Sequence, residues 1–242
     1  MRSTSIVIPH YRTLRHLDLC LACVKRFTRP PHETIVVDNG SEPSDLQALR
    51  KREGIELLER RQGAEMGHRA HAEALDLGIS RARGDYVVTL HSDTFVRRAG
   101  WLEFLIDRLE SGPYEVVGAG TQHIRPLSGW ERVRRSFQAP KPMKRIGPVF
   151  TIYRRRVFEP ARFSDFEKVW QIVEPYRKDG RARLLTREEA SHWAFHVGGS
   201  TKLEVLRHRR SAMALKERQL IRFLRQPEIQ ELFDAGRAGA SS

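Results

Sequence analysis

Cysteine is scarce in this chain of 242 residues, which contains two, Cys20 and Cys23. Their Cys-x-x-Cys spacing admits a redox or zinc pair as an alternative, but no second pair of cysteines accompanies it. Apolar residues, among them Leu19, Leu21 and Val24, surround the pair in a segment with helical spacing. We therefore expect both cysteines to be buried as small hydrophobic side chains.

Long apolar runs are also missing. No stretch approaches the roughly 20 residues that a membrane-spanning helix requires. Met1 to Ser5 lead directly into a β-branched run, without the apolar core of a signal peptide. These observations favour a cytoplasmic protein. No Gly-x-Gly-x-x-Gly fingerprint follows the first predicted strand, which disfavours a dinucleotide-binding domain.

Acidic residues are outnumbered, since 43 Lys and Arg stand against 30 Asp and Glu and give a formal net charge of +13. Such an excess indicates partners that carry phosphate, namely nucleotide diphosphates, anionic lipid surfaces or nucleic acid. The basic residues are dense between Arg125 and Arg156 and in a tail from Lys202 to Phe233. The length suits one sizeable core, so we expect one domain with a C-terminal appendage.

Hydrophobic spacing alternates along the first hundred residues between the periods of strands and helices. Strands are predicted over 5–9, 34–37, 55–58 and 87–90, and helices over 13–27, 46–52 and 68–83. Pro9 is expected to end the first strand because proline cannot donate to a ladder. Further on, residues 166–177 are predicted to be helical, with Pro175 breaking the end. The alternation predicts an α/β protein whose parallel sheet is built by right-handed crossovers.

Polar side chains follow two of these strands at the point where each strand ends. Asp38 follows the second strand, and His91, Ser92 and Asp93 follow the run that ends at Leu90. Ligands of open α/β sheets bind at this carboxyl edge, where a carboxylate can hold a divalent ion against a nucleotide diphosphate. Two structural alternatives stay open: Asp38 forms an Asx turn, and Asp93 caps a turn or the following helix.

Several of these pieces together resemble the family-2 glycosyltransferases of the GT-A fold, over about residues 3–201. The matching stretches are 5–11 (SIVIPHY), 35–41 (IVVDNGS), 84–93 (GDYVVTLHSD), 154–158 (RRRVF), 163–165 (FSD) and 196–201 (HVGGST). The resemblance implies a Rossmann-like, mostly parallel sheet flanked by helices, with a basic C-terminal helical extension. It implies a GT-A domain over 1–201, with a nucleotide-sugar-binding half (1–96) and an acceptor half (97–201), followed by a helical tail (202–242).

The resemblance also assigns roles to individual residues. Asp38 matches the position that hydrogen-bonds the nucleotide base. The family's Asp-x-Asp falls on residues 91–93, which makes Asp93 the metal ligand and puts His91 where a carboxylate usually faces the ribose or the metal's water shell. A neutral imidazole binds transition metals, so an imidazole at this position favours Mn²⁺ over Mg²⁺ as the bound ion. His196 matches a position near the diphosphate or the metal, its alternative being a core histidine.

Further donor contacts follow from the same matches. They are Pro9, Tyr11 and Ser92. Arg69, at the start of the helix that follows Gly67, is a separate candidate for contact with a diphosphate, its alternative being the solvated helix face that is the commoner environment for such a residue. The family's acceptor-side Glu-Asp pair is not present as such. Asp165 is the first candidate for the general base and Glu167 the second, the alternative for both being acids favoured at a helix N-terminus.

The implied reaction is a metal-assisted transfer of a sugar, with inversion, from a nucleotide-diphosphate sugar to an acceptor hydroxyl. A sugar-phosphate nucleotidyltransferase is disfavoured because residues 10–14 lack the glycines of its signature. The remaining alternative is a GT-A scaffold that has lost catalysis and binds anionic surfaces. A lipid-linked acceptor and peripheral contact with the inner membrane face, through 125–156 and the tail, form a further hypothesis, and nucleic acid is the less favoured partner.

Overall fold

The computed structural model describes residues 3–29, 31–61, 67–120, 124, 145–198, 220–227 and 229–231. Its strands are β1 (Thr4–His10), β2 (His32–Asp38), β3 (Glu56–Glu59), β4 (Tyr86–Leu90), β5 (Thr94–Val96), β6 (Val116–Gly118), β7 (Phe150–Arg154), β8 (Ala182–Leu184) and β9 (Ala194–His196). Its helices are α1 (Leu14–Phe27), α2 (Pro43–Arg50), α3 (His68–Arg81), α4 (Trp101–Glu110), α5 (Glu174–Lys178) and α6 (Arg187–Trp193), and 3₁₀ turns cover Arg155–Phe158, Phe163–Asp165 and Val169–Val173.

The main sheet has seven strands in the order β3-β2-β1-β4-β7-β6-β8. Its pairs are parallel except that β7 runs antiparallel to both β4 and β6. The expected mostly parallel α/β sheet is confirmed. The chain passes from β1 outward to β2 and β3 and then returns to the other side of β1 as β4. The order therefore reverses between β1 and β4, and a crevice for ligands opens at the carboxyl ends of strands flanking such a point.

Both faces of the sheet are buried, as continuous β-branched runs require. Ile6 and Ile8 of β1 pack on one face with α1 and α4, whereas Val7 between them packs on the other face with α3. Gly78 of α3 lies so close to Val7 and Val37 that a Cβ atom there would collide with their side chains. This close approach fixes α3, and the groups it carries, against β1 and β2.

The two cysteines of α1 are fully buried and free, as expected from their apolar neighbours. Burial raises the pKa of the Cys23 thiol to about 12. A thiolate is therefore not available there for redox or metal chemistry at neutral pH. Among the described residues, no helix combines the length and the apolar character that crossing a bilayer would require.

Two expectations about proline are wrong. Pro9 does not end β1, which continues to His10. The backbone carbonyl of His10 accepts the N–H of Asn39, which follows β2, so the polar backbone groups of His10 point toward β2. Those of the preceding residue, Pro9, point to the opposite side, toward β4, and β1 is no longer paired with β4 beyond Val7. The missing N–H of Pro9 therefore costs no ladder bond. Pro175 lies in the first turn of α5, just after its first residue Glu174, instead of breaking a helix, because the first turn leaves its N–H without an intrahelical partner anyway.

A second sheet pairs the short strands β5 and β9 in antiparallel register, with Thr94 opposite His196 and Phe95 opposite Phe195. The described part of the predicted tail packs on it. The Phe223 ring stacks on that of Phe195, with centroids 4.9 Å apart and an interplanar angle of 7°, and on that of Phe95 at 5.2 Å. Phe223 and Ile229 are buried in the same core as α1 and α4. Residues 202–219 and 232–242 lie outside the described residues, so the predicted boundary at 202 stays a prediction.

Truncation of Phe223 tests whether this segment supports the fold. We expect Phe223→Ala to lower the free energy of unfolding by about 3–5 kcal/mol, because it leaves a cavity against two stacked rings. Ile221→Ala, on the exposed side of the same segment, should change it by less than about 1 kcal/mol. Denaturant unfolding of both variants measures the difference. Equal, small effects would show that the segment is not part of the cooperative core.

Candidate active site

Asp38 lies at the end of β2 with its carboxylate turned inward. Its Oδ1 lies 3.0 Å from Nδ1 of His10, and its Oδ2 accepts the backbone N–H groups of Gly40 and Ser41 at 3.2 and 3.1 Å. His10 Nε2 accepts the Thr13 N–H at 3.2 Å, so the proton is on Nδ1 and points at Asp38. Burial alone would raise the pKa of Asp38, but these hydrogen bonds hold it below its usual value. The base-binding role of Asp38 stays a prediction.

The loop after β1 connects Asp38 to the motif that follows β4. The hydroxyls of Thr13 and Ser92 lie 2.9 Å apart, and both residues are buried. Between β1 and Thr13, Arg12 has a φ of 52°, which a non-glycine residue rarely adopts. Its N–H donates to Ser41 Oγ at 2.9 Å. A continuous set of hydrogen bonds therefore runs along the carboxyl edge of the sheet, from Asp38 through His10 and Thr13 to Ser92.

Three groups that can ligate a metal converge immediately beyond Ser92. Ligand atoms of His91, Asp93 and His196 all lie within 4.8 Å of one another. His196 Nδ1 lies 3.2 Å from Asp93 Oδ1 and 3.0 Å from the Thr94 hydroxyl. The β5–β9 pair supplies this proximity, since the N–H of Val197 also bonds the carbonyl of Asp93 at 3.1 Å. His196 is buried, as a core histidine would be, but beside a carboxylate.

The imidazole of His91 is neutral. Burial, followed by the neighbouring His71 and His196, lowers the pKa of His91 to about 3, so the imidazole retains a lone pair at neutral pH. Its Nε2 atom is buried and has no hydrogen-bond partner among the described residues. One carboxylate with two imidazoles is a donor set that suits Mn²⁺ or another transition ion better than Mg²⁺. The residues present therefore fit a divalent metal.

The other predicted donor contacts are arranged around this edge. Pro9 is buried in β1, and Tyr11 follows β1 with the Arg12 guanidinium 5.1 Å from the centre of its ring. Arg69, in the first turn of α3, donates to Glu73 Oε1 at 3.0 Å and is largely exposed. Arg69 thus shows the solvated helix face that its residue type favours. None of these contacts tests binding of a nucleotide sugar.

The two candidate bases, Asp165 and Glu167, belong to a segment that α3 anchors. The carboxylate of Asp76 in α3 accepts the N–H groups of Phe163 and Ser164 at 2.8 and 2.9 Å and so anchors the 3₁₀ turn that ends at Asp165. Asp165 Oδ2 accepts the N–H of Arg162 at 2.7 Å, which closes that turn. Asp165 is exposed and has this structural task.

Glu167 is exposed and pairs with Lys168, with Oε1 and Nζ 2.9 Å apart. The hydrogen bond from Lys168, with a smaller contribution from His68, lowers the pKa of Glu167. Asp165 thus contributes to the turn itself, whereas Glu167 pairs with the neighbouring lysine.

Comparison with known proteins decides the family. Residues 5–170 match the family model described as glycosyl transferase family 2. This chain belongs to that family. Chondroitin synthase of Pasteurella multocida (strain Pm70) is 30% identical to it over 115 residues, which make up 47% of this chain and 12% of that protein. The family-2 chain thus matches only a small part of this much longer relative.

Solved structures of similar fold support the same conclusion. Mannosyltransferase PcManGT from Pyrobaculum calidifontis, in complex with GDP-Man and Mn²⁺, has a TM-score of 0.59 and 17% identity, over 76% of this chain and 54% of that one. S. aureus TarS 1–349, in complex with UDP-GlcNAc, has a TM-score of 0.57 and 15% identity, over 81% and 58%. At such identities the likeness concerns the fold alone, and the predicted GT-A fold is confirmed.

Sequence reasoning missed several residues of this family-2 site. His10 carries the bond to Asp38, Thr13 carries the bond to Ser92, and His71 of α3 places its ring 5.0 Å from that of His91. His10 ends a strand as Asp38 does, so the rule that polar groups at strand ends line the crevice would have found it. His71 has no such signal, because its neighbours along the chain are ordinary helix residues.

Proposed function

We propose that this protein transfers a sugar from a nucleotide-diphosphate sugar to an acceptor hydroxyl, with inversion, assisted by a divalent metal. The observation that carries the proposal is the convergence of His91, Asp93 and His196 at the reversal point of the sheet, next to the buried edge that ends at Asp38. The nucleotide sugars and the Mn²⁺ of the similar structures support it. We propose Mn²⁺ over Mg²⁺ because two of the three ligands are imidazoles.

In this mechanism His91, Asp93 and His196 would hold the ion, whose positive charge would offset the charge that grows on the departing nucleoside diphosphate. Asp38 recognises the nucleotide base, and His10 keeps its carboxylate ionised and correctly oriented. Thr13 and Ser92 join the two loops that flank the donor, so their bond holds the base-binding and metal-binding groups at a constant separation. Inversion follows from in-line attack by the acceptor on the face of the sugar opposite the leaving group.

The acceptor hydroxyl needs a general base at the far side of the sugar. We propose Glu167 for this task and place Asp165 second, which reverses the order suggested by the sequence. The Asp165 carboxylate closes its own turn by accepting the Arg162 N–H, whereas the Glu167 carboxylate is exposed and pairs with Lys168. The Lys168 ammonium keeps Glu167 ionised, as a base must be before it accepts a proton.

We further propose that the acceptor is lipid-linked and that the protein contacts the cytoplasmic face of a membrane through its excess of positive charge. Most of the basic segments concerned, 125–144 and 202–219, lie outside the described residues. Co-sedimentation with phosphatidylglycerol vesicles, but not with phosphatidylcholine vesicles, is the expected result. Equal recovery with both kinds of vesicle would argue against membrane contact.

Replacing Asp93 tests the metal-dependent reaction. With Mn²⁺ and either UDP-GlcNAc or GDP-mannose, the wild-type protein should release nucleoside diphosphate slowly even without an acceptor. We expect Asp93→Ala to reduce this release at least 100-fold, because the ligand with the negative charge is lost. Asp107→Ala, a carboxylate on α4, is the control and should retain activity. Wild-type rates in Asp93→Ala would discard the metal role.

A pair of variants distinguishes the two candidate bases. Glu167→Gln should lower kcat about 100-fold or more while the dissociation constant of the nucleotide sugar stays unchanged, since a general base contributes 10²–10⁴-fold. Asp165→Asn keeps an acceptor oxygen for the Arg162 N–H and should affect kcat much less. Steady-state kinetics with calorimetric donor binding separates the two quantities. The opposite ranking would restore Asp165 as the base.

A further inference from the structure

His71 of α3 is a third imidazole beside the metal-binding group. Its ring centroid lies 5.0 Å from that of His91, with an interplanar angle of 87°, and the His91 ring lies 5.5 Å from that of His196. Three elements distant in the chain, α3, the end of β4 and β9, thus bring three imidazoles together around Asp93. The predicted ligand set does not include His71.

The chemistry of His71 is not explained by packing. Its Nε2 atom is buried and has no hydrogen-bond partner among the described residues, as is also true of His91 Nε2. A buried polar atom without a partner destabilises the fold, and an apolar side chain would avoid that cost. The neighbouring buried positions of α3 are apolar, being Ala70, Ala72, Ala74 and Leu75. Two adjacent rings that each bury an Nε2 atom without a hydrogen-bond partner indicate that a ligand binds between or beside them.

Distances separate the roles of the two rings. The group of ligand atoms within 4.8 Å of one another contains His91, Asp93 and His196, and His71 is not a member. His71 therefore reaches an ion only through another group.

We infer that His71 is a positioning residue of the metal site: its ring holds His91 edge-on, and its Nε2 hydrogen-bonds an oxygen ligand of the bound ion. That oxygen belongs either to a metal-bound water or to the diphosphate of the donor. The inference rests on the proposed function, because it requires a metal at His91, Asp93 and His196. Groups that orient metal ligands in this way typically change metal affinity by 10–100-fold when they are removed.

Two substitutions separate the nitrogen from the ring. His71→Phe keeps a ring against His91 but removes both nitrogens, whereas His71→Gln loses the ring but retains an amide that can reach the same oxygen. Binding of Mn²⁺ is measured by the loss of the free-ion signal in electron paramagnetic resonance, without substrate turnover. We expect His71→Phe to weaken Mn²⁺ binding about 10–100-fold and His71→Gln to restore part of the loss. His68→Phe, an exposed histidine on the same helix, is the control and should bind as the wild type does.

Thermal unfolding of the metal-free proteins tests whether a loss of Mn²⁺ affinity is caused by a less stable fold. His71→Phe should unfold at the wild-type temperature or above it, since it removes an orphaned nitrogen. Mn²⁺ affinity of His71→Phe that is unchanged both without nucleotide and with UDP or GDP would overturn the inference, and so would a loss of affinity that merely parallels a lower unfolding temperature. Repeating the titration with UDP or GDP identifies the oxygen: a defect with Mn²⁺ alone assigns it to water, and one that appears only with nucleotide assigns it to the diphosphate.

Asp93→Ala shows which hypothesis has failed if a result is negative. If the wild type binds Mn²⁺, Asp93→Ala does not, and His71→Phe behaves as the wild type both with and without nucleotide, then the metal site stands and the role of His71 is overturned. If the wild type itself binds no Mn²⁺, the metal-dependent function is overturned and the inference with it.

Discussion

Thr94 and His196 are 102 residues apart in the chain and share a hydrogen bond because β5 pairs with β9. Each of these strands has three residues, and an isolated two-stranded ribbon of that size is not stable in water. Stacked aromatic rings supply the missing stability: Phe95 and Phe195 face Phe223 on the side turned toward the core. Asp93 and His196 therefore keep their relative position through hydrophobic burial of adjacent residues rather than through their own contact.

The same burial sets the charge state of the cluster. Desolvation and mutual repulsion disfavour the charged forms of two imidazoles that lie side by side in a buried region. The low pKa values of His71 and His91 are the result. The neutral His91 nitrogen can accept a cation without first releasing a proton, whereas an exposed histidine would compete with protons for the same lone pair.

The sequence was sufficient to predict the parts of the fold that local periodicity determines. The long buried strands β1, β2 and β4 are β-branched runs, and Asp38, His91 and Asp93 follow their ends, so the carboxyl-edge rule placed them together. β5, β8 and β9 have three residues each, too few for a period, and their pairing is decided by tertiary contacts. The proximity of His71 to His91 had no sequence signal, since it depends on how closely α3 packs on the sheet.

That packing distance is set in part by Gly78, and it affects the acceptor side as well. Because a Cβ at Gly78 would collide with Val7 and Val37, only glycine lets α3 approach so closely, and the approach places both His71 and Asp76. Asp76 in turn anchors the turn before Glu167 through two backbone N–H groups. The helix α3 thus places His71 beside the proposed metal site and anchors the turn that precedes Glu167, the proposed base. A change in how α3 sits on β1 and β2 would therefore alter the donor and acceptor sides together.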